Sequence, residues 1–259
     1  MGRKPIIIAN WKMNLGLTEV KRFFSHFTLE ESRLKNCTLV ICPSFALLEQ
    51  TLALIGGRPI VLGAQNLFWE ERGAYTGEVS GQQLIDVGCQ YVIVGHSERR
   101  ALFHEDDEIV SRKIKVALQY GLTPVVCLGE NYQEKEAGQT KKVIEAKMQT
   151  CLGDLRSFEL KKLIIAYEPM WAISTSPENP EGLADSPESA QVVHKLMRRV
   201  VAEMSDEHVA KAVPVIYGGS VNPDNIKGFA SMDDIDGVLV GGASREADTF
   251  QEIIKTYLS

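Results

Sequence analysis

Short runs of apolar, mostly β-branched residues recur about every thirty positions along the chain, each followed by a polar loop and a stretch with helical spacing. The runs occupy 5–9, 39–42, 60–63, 91–94, 124–128, 163–167, 214–217 and 238–240, which predicts eight strands. Four of them open beside a proline (Pro5, Pro59, Pro124, Pro214), at the strand position where a missing N–H is tolerated. Helices are predicted over 18–32, 45–55, 81–87, 107–120, 131–152, 188–204, 224–229 and 247–258. Ser80 and Ser186-Pro187 act as start signals, and Gly88, Gly121 and Gly153 as stops. Strict alternation of strand and helix requires right-handed crossovers and an all-parallel sheet.

Eight such units without a break in composition predict one domain over 1–259, folded as a closed (β/α)8 barrel. An open doubly wound sheet would more often carry G-x-G-x-x-G after its first strand, but here that strand leads to Asn10-Trp11-Lys12-Met13-Asn14. The one stretch poor in apolar residues, 174–189, lies inside the sixth unit. It therefore reads as an elongated loop after strand six, not as a linker.

Composition narrows the partner. With 28 basic and 34 acidic residues the net charge is -6, so no global field draws the chain to nucleic acid or to an anionic membrane, and a small-molecule partner is expected. Only four apolar residues, Ile6 to Ala9, follow the amino-terminal segment, too few for a signal-peptide core or a spanning helix. Ile6 stands where a myristoylation pattern requires Ser or Thr. Five cysteines, odd in number and without a C-x-x-C pair, argue against a disulfide framework or a zinc site. They read as reduced, packed thiols in a cytoplasmic protein.

The candidate chemistry lies just after the predicted strands, on the face where barrel enzymes assemble their sites. Glu168 ends the apolar run 163–167 and is followed by the stiff segment Pro169-Met170-Trp171. A lone carboxylate there suits a general base under a lid, although an ordinary strand-end glutamate would look the same in isolation. The other strand ends contribute Asn10 and Lys12, Gln65 and Asn66, His96 and Glu98, Glu130, Gly218-Gly219-Ser220 and Gly241-Gly242. Two glycine turns after strands seven and eight expose backbone N–H groups where many barrels hold phosphate. His96 precedes the polar run 97–100 and is expected at a helix amino terminus, where a neutral imidazole able to donate to a carbonyl is favoured. Lys12 is either a solvated charge or a cation for phosphate and enediolate, and Asn10 either a turn residue or an oxyanion donor. The remaining histidines (26, 104, 194 and 208) are expected at the surface, and Cys127 packed in its strand.

These residues resemble the triosephosphate isomerase family over essentially the whole chain. The resemblance is carried by Ala9-Asn10-Trp11-Lys12-Met13-Asn14, Gly63-Ala64-Gln65-Asn66, the segments 73–78, 94–100 and 166–173, Tyr217-Gly218-Gly219-Ser220 and the segment 237–244. It implies a TIM barrel that interconverts dihydroxyacetone phosphate and D-glyceraldehyde 3-phosphate through an enediolate, without cofactor or metal, in glycolysis and gluconeogenesis. In that reading Glu168 shuttles the proton, His96 polarises the carbonyl, Lys12 and Asn10 stabilise the oxyanion and Glu98 orients its neighbours. The N–H groups of Ser174, Ser220, Gly241 and Gly242 take the phosphate. A homodimer is also implied, with Thr76 of the long loop 65–80 reaching Lys12 of a second subunit.

Two departures stand out. The family's lid tip reads A-I-G-T-G-K, whereas here it is Ala172-Ile173-Ser174-Thr175-Ser176-Pro177, followed by about six inserted residues that include Pro180. Arg245 replaces the apolar residue usual after G-G-A-S. The alternatives are an aldolase-like barrel, for which a strand lysine is missing, and a catalytically silent barrel that only binds sugar phosphates or a protein partner.

Overall fold

Eight strands close on themselves in chain order, each parallel to its neighbours, and the last pairs with the first so that Ile6 lies opposite Gly237. The strands are β1 (Ile6–Asn10), β2 (Thr38–Cys42), β3 (Val61–Ala64), β4 (Tyr91–Val94), β5 (Thr123–Leu128), β6 (Ile164–Tyr167), β7 (Val215–Tyr217) and β8 (Gly237–Val240). The computed structural model describes residues 3–174, 179 and 183–259. Every predicted strand is present, with bounds shifted by a residue or two, and the predicted closed barrel is the observed architecture.

Strand geometry sorts the side chains into two cores. Ile6 and Ile8 of β1 pack with Val40 and Cys42, Ile93, Val125 and Cys127, Ile164 and Ala166, Ile216 and Leu239, a set made only of strand residues that fills the barrel. The alternate residues, among them Ile7, Ala9, Leu39, Val94, Val126 and Ile165, join a second, larger cluster with the surrounding helices. This is the period of two that a pleated strand imposes. Extending the inward set by one step past each strand's apolar residues reaches Asn10, Glu168, Gly218 and Gly241.

The helices depart from expectation where local chemistry interrupts a long period. The run predicted over 18–32 stops at His26, because Phe27 turns to an extended conformation and buries its ring, stacked 5.4 Å from Phe23. A separate short helix, Glu31–Leu34, follows. The run predicted over 131–152 is likewise two helices, Tyr132–Glu136 and Thr140–Leu152, broken where Gly138 sits at φ 65, a left-handed conformation that only glycine enters without strain. Ser97–Phe103, Ser157–Leu160 and Glu207–Ala212 are helices too short for the periodicity to register. The predicted starts at Ser80 and Ser186 are both real caps, accepting from Gln83 N–H and Ser189 N–H. Among the described residues no helix is long and apolar enough to cross a membrane.

One sequence expectation fails outright. His194 is fully buried, whereas His26, His104 and His208 are exposed as expected. It faces inward from the helix Pro187–Met204, its ring edge-on to Tyr167 at 5.9 Å and its Nδ1 3.2 Å from Asp234 O. Burial, with a smaller contribution from the charge of Arg198, depresses its proton affinity to a pKa of about 3. The unfolded chain takes up a proton near pH 6.5 and the folded one does not, so His194 makes stability fall as pH drops from about 6.5 towards 3. Between pH 7 and 5 this contribution is about 2 kcal/mol. Urea unfolding of wild type and His194→Gln at the two pH values should show the variant losing about that much less; equal losses in both would remove His194 as the cause.

Candidate active site

The end of β6 places Glu168 in the barrel mouth, and two glycines make room for it. A Cβ at Gly129 would lie 1.7 Å from Glu168 O, and one at Gly218 would lie 2.8 Å from Glu168 Cγ. The carboxylate is 2% exposed. Its Oε2 accepts the Ser97 N–H at 3.0 Å. Its Oε1 forms no directed hydrogen bond among the described residues and lies 3.2 Å from His96 Nε2. One oxygen is thus anchored on backbone and the other faces the imidazole.

His96 caps the helix Ser97–Phe103, as its place before a polar run suggested. The Glu98 N–H donates to its Nδ1 at 3.2 Å, so that nitrogen carries no proton, and Nε2 is the donor facing Glu168 and the cavity. The turn before it is held by Arg100, which donates to Gly95 O at 2.8 Å and pairs with Asp107 at 2.6 Å.

Lys12 adopts φ 52, rare for a residue with a side chain. Three contacts hold that conformation. Its N–H donates to Asn10 Oδ1 at 3.0 Å, its carbonyl accepts from Gln65 Nε2 at 2.8 Å, and the neighbouring Trp11 indole donates to Ser244 O at 3.0 Å. Its ammonium pairs with Glu98 at 2.7 Å, so beside these amides it also has a carboxylate neighbour.

Asn10, Lys12, His96, Glu168, the turn 218–220, Ser174 and Gly241-Gly242 line one cavity of about 210 Å³. Two of the expected donors are already engaged: Ser174 N–H donates to Ser220 Oγ at 3.0 Å, and Ser220 N–H to Ala172 O at 3.1 Å. Lys12 and His96 also border a second cavity of about 400 Å³, with Glu98 and Gln65. Among the described residues no group of three or more His, Cys, Asp or Glu could hold a metal ion.

Four strand-end candidates do not line the main cavity: Gln65, Asn66 and Glu98 border the second one, and Glu130 borders neither. Glu130 lies behind the strands, fully buried, accepting from Tyr167 Oη at 3.0 Å, Trp171 Nε1 at 3.0 Å and Thr140 Oγ1 at 3.2 Å. It sits on the outward parity of β5 and braces the segment 169–172. Asn66 accepts from the buried Lys113, which also pairs with Glu105. Sequence reasoning missed Ser97, whose backbone anchors the carboxylate, and Asn179, which donates to Ile173 O and Leu183 O and accepts from Leu183 N–H. No periodicity marks either one. Thr175, Ser176, Pro177 and Pro180 of the altered tip lie outside the described residues.

The profile described as Triosephosphate isomerase matches residues 5–257. The chain belongs to the triosephosphate isomerase family. It is 44% identical to the triosephosphate isomerase of Dictyoglomus turgidum over 98% of this chain and 100% of that protein. It is 44% identical to that of Endomicrobium trichonymphae, over 98% of each chain. It is 42% identical to that of Geobacter metallireducens, over 97% of this chain and 98% of the relative.

All five cysteines are free and buried, which bears out the reading of packed thiols. Burial pushes the Cys37 thiol up to about 11 and those of Cys89 and Cys151 to about 12. It raises Cys42 and Cys127 further, Cys127 also under the negative charge of Glu168. The native protein at pH 8 should therefore release almost no thionitrobenzoate from Ellman's reagent within minutes, and five equivalents after unfolding. Rapid release of even one equivalent from the native protein would contradict this burial.

Proposed function

We propose that this protein interconverts dihydroxyacetone phosphate and D-glyceraldehyde 3-phosphate, in the cytoplasm, as a step of glycolysis and gluconeogenesis. The observation that carries the reading is the Oε1 of Glu168 facing a donor Nε2 of His96 beside Lys12 in one cavity. Oε1 takes the proton from the carbon next to the carbonyl while the His96 Nε2–H polarises the carbonyl oxygen. The enediolate that forms is supported by Lys12 and Asn10, and the protonated Glu168 returns the proton to the adjacent carbon as the hydroxyl proton passes from one oxygen to the other, so that carbonyl and hydroxyl change places.

The phosphate is held at the other end of the cavity by the N–H groups of Ser174, Ser220, Gly241 and Gly242. For the first two this requires exchange of their present bonds, to Ser220 Oγ and Ala172 O, for bonds to the ligand. Movement of the segment 169–174 as a lid accomplishes that exchange and excludes water. In the present conformation Ser174 is not left-handed: among the described residues only Lys12 and His104 are non-glycine residues at positive φ.

The acting unit in this reading is a homodimer. The loop 65–80 carries a stack of Phe68 on Trp69 at 4.1 Å and an exposed Tyr75 and Thr76. The second cavity, beside Lys12, is lined by apolar residues that include Met13 and Phe103, themselves 93% and 62% exposed. A projecting loop and an apolar recess on the same subunit suit a two-fold contact in which each fills the other's recess.

In an assay that follows glyceraldehyde 3-phosphate, Glu168→Gln should lower turnover roughly 10²- to 10⁴-fold with little change in phosphate affinity. Turnover at the wild-type level would sink the assignment of the base. Sedimentation at micromolar concentration should give twice the chain mass, and a fully active monomer would exclude the proposed assembly.

A further inference from the structure

Arg245 follows the turn that ends β8, and no part of the proposed reaction uses it. Its guanidinium folds back over that turn, with Nε donating to Gly242 O at 3.1 Å and one terminal nitrogen donating to Asn14 Oδ1 at 3.3 Å. Asn14 is itself tied to the loop after β1, its N–H and side-chain amide both donating to Trp11 O at 3.3 and 2.9 Å. The other terminal nitrogen lies 4.0 Å from where a Cβ of Gly242 would stand.

Arg245 thus joins the loop carrying Lys12 to the loop carrying Gly241 and Gly242, the two sides of the cavity's cationic end. Both oxygens it binds are neutral. Glu19, Glu246 and Asp248 border the same shallow surface cleft, but none of them forms an ion pair with it among the described residues. The guanidinium thus stands near these carboxylates without pairing to them, and the residue lies outside the lining of the main cavity.

We propose that Arg245 is a positioning residue for a phosphate dianion: its fork holds Gly242 in register with Lys12, and its charge adds to the field at the rim. The inference rests on the isomerase reading for the identity of the substrate but not for the anion. A planar fork with two fixed donors can brace two loops at once, which neither a lysine nor an apolar side chain does. Because the guanidinium acts on the phosphate equally in ground and transition states, its loss raises KM and leaves kcat alone.

The test is calorimetric titration of wild type, Arg245→Leu and Arg245→Lys with inorganic phosphate at about 20 mM and about 200 mM salt, alongside steady-state kinetics. Arg245→Leu should weaken phosphate binding roughly three- to tenfold at low salt, by less at high salt, and raise KM by a similar factor with kcat within about twofold. Arg245→Lys should recover the salt-dependent part of the loss and not the remainder. Should Arg245→Leu fail to reach the wild-type unfolding midpoint, Arg245→Gln replaces it.

A leucine variant that binds phosphate as wild type does, or a wild type that binds none, would overturn the proposal. So would a fall in kcat at unchanged KM, and full recovery in the lysine variant would overturn the brace. Weakened phosphate binding in the leucine variant of a wild type that does not isomerise triose phosphates would support Arg245 and refute the isomerase reading, so the two failures are distinguishable.

Discussion

Closure of the sheet governs everything else in this molecule. When eight parallel strands form a ring with no edge, every side chain must point either into the barrel or out towards the helices, and neighbours along a strand must alternate. The inward positions here are filled by Ile6, Ile8, Val40, Ile93, Val125, Ile164, Ile216 and Leu239, so the barrel is packed solid below its mouth. At the mouth the same inward parity continues with polar or absent side chains. Asn10 and Glu168 converge there for the same geometric reason that the isoleucines beneath them do, while Gly218 and Gly241 leave the space between them open.

That geometry also explains the unequal fates of two strand-end glutamates. Glu168 lies on the inward parity and meets the cavity; Glu130 lies on the outward parity and disappears behind the sheet. Buried there, its carboxylate accepts from Tyr167, Trp171 and Thr140, and the segment after Glu168 is tied back through Trp171. A buried carboxylate without such partners would cost several kcal/mol. Among the described residues Glu168 accepts a directed backbone hydrogen bond from the Ser97 N–H, and its other oxygen faces His96.

The polar shell around the cavity is arranged to hold backbone rather than side chains. Gln65 and Asn10 fix the peptide groups on either side of Lys12, Arg100 fixes Gly95 before His96, and Arg245 grips Gly242. Each joins elements far apart in sequence or reinforces a tight turn, and each leaves N–H groups or a charged tip directed at one small volume. The segment after β6 is held differently, by bonds between the loops of Ser174 and Ser220.

The chain by itself determined what local periodicity and short motifs can carry. Eight apolar runs separated by helical stretches required a parallel closed sheet, and the motifs around Lys12, His96, Glu168 and the two glycine turns marked the face where chemistry belongs. What it could not determine depended on contacts between segments remote in sequence. Short helices such as Ser157–Leu160, the break at Gly138, the burial of His194 and the pairing of Lys12 with Glu98 follow from packing that no single window contains. The anchoring of Glu168 by a backbone N–H belongs to the same class, since every residue has such a group and only the fold decides which one is presented. Parity lies between the two: it is written in each strand, but its inward sense becomes fixed only when the ring closes and one face of every strand is turned away from the helices.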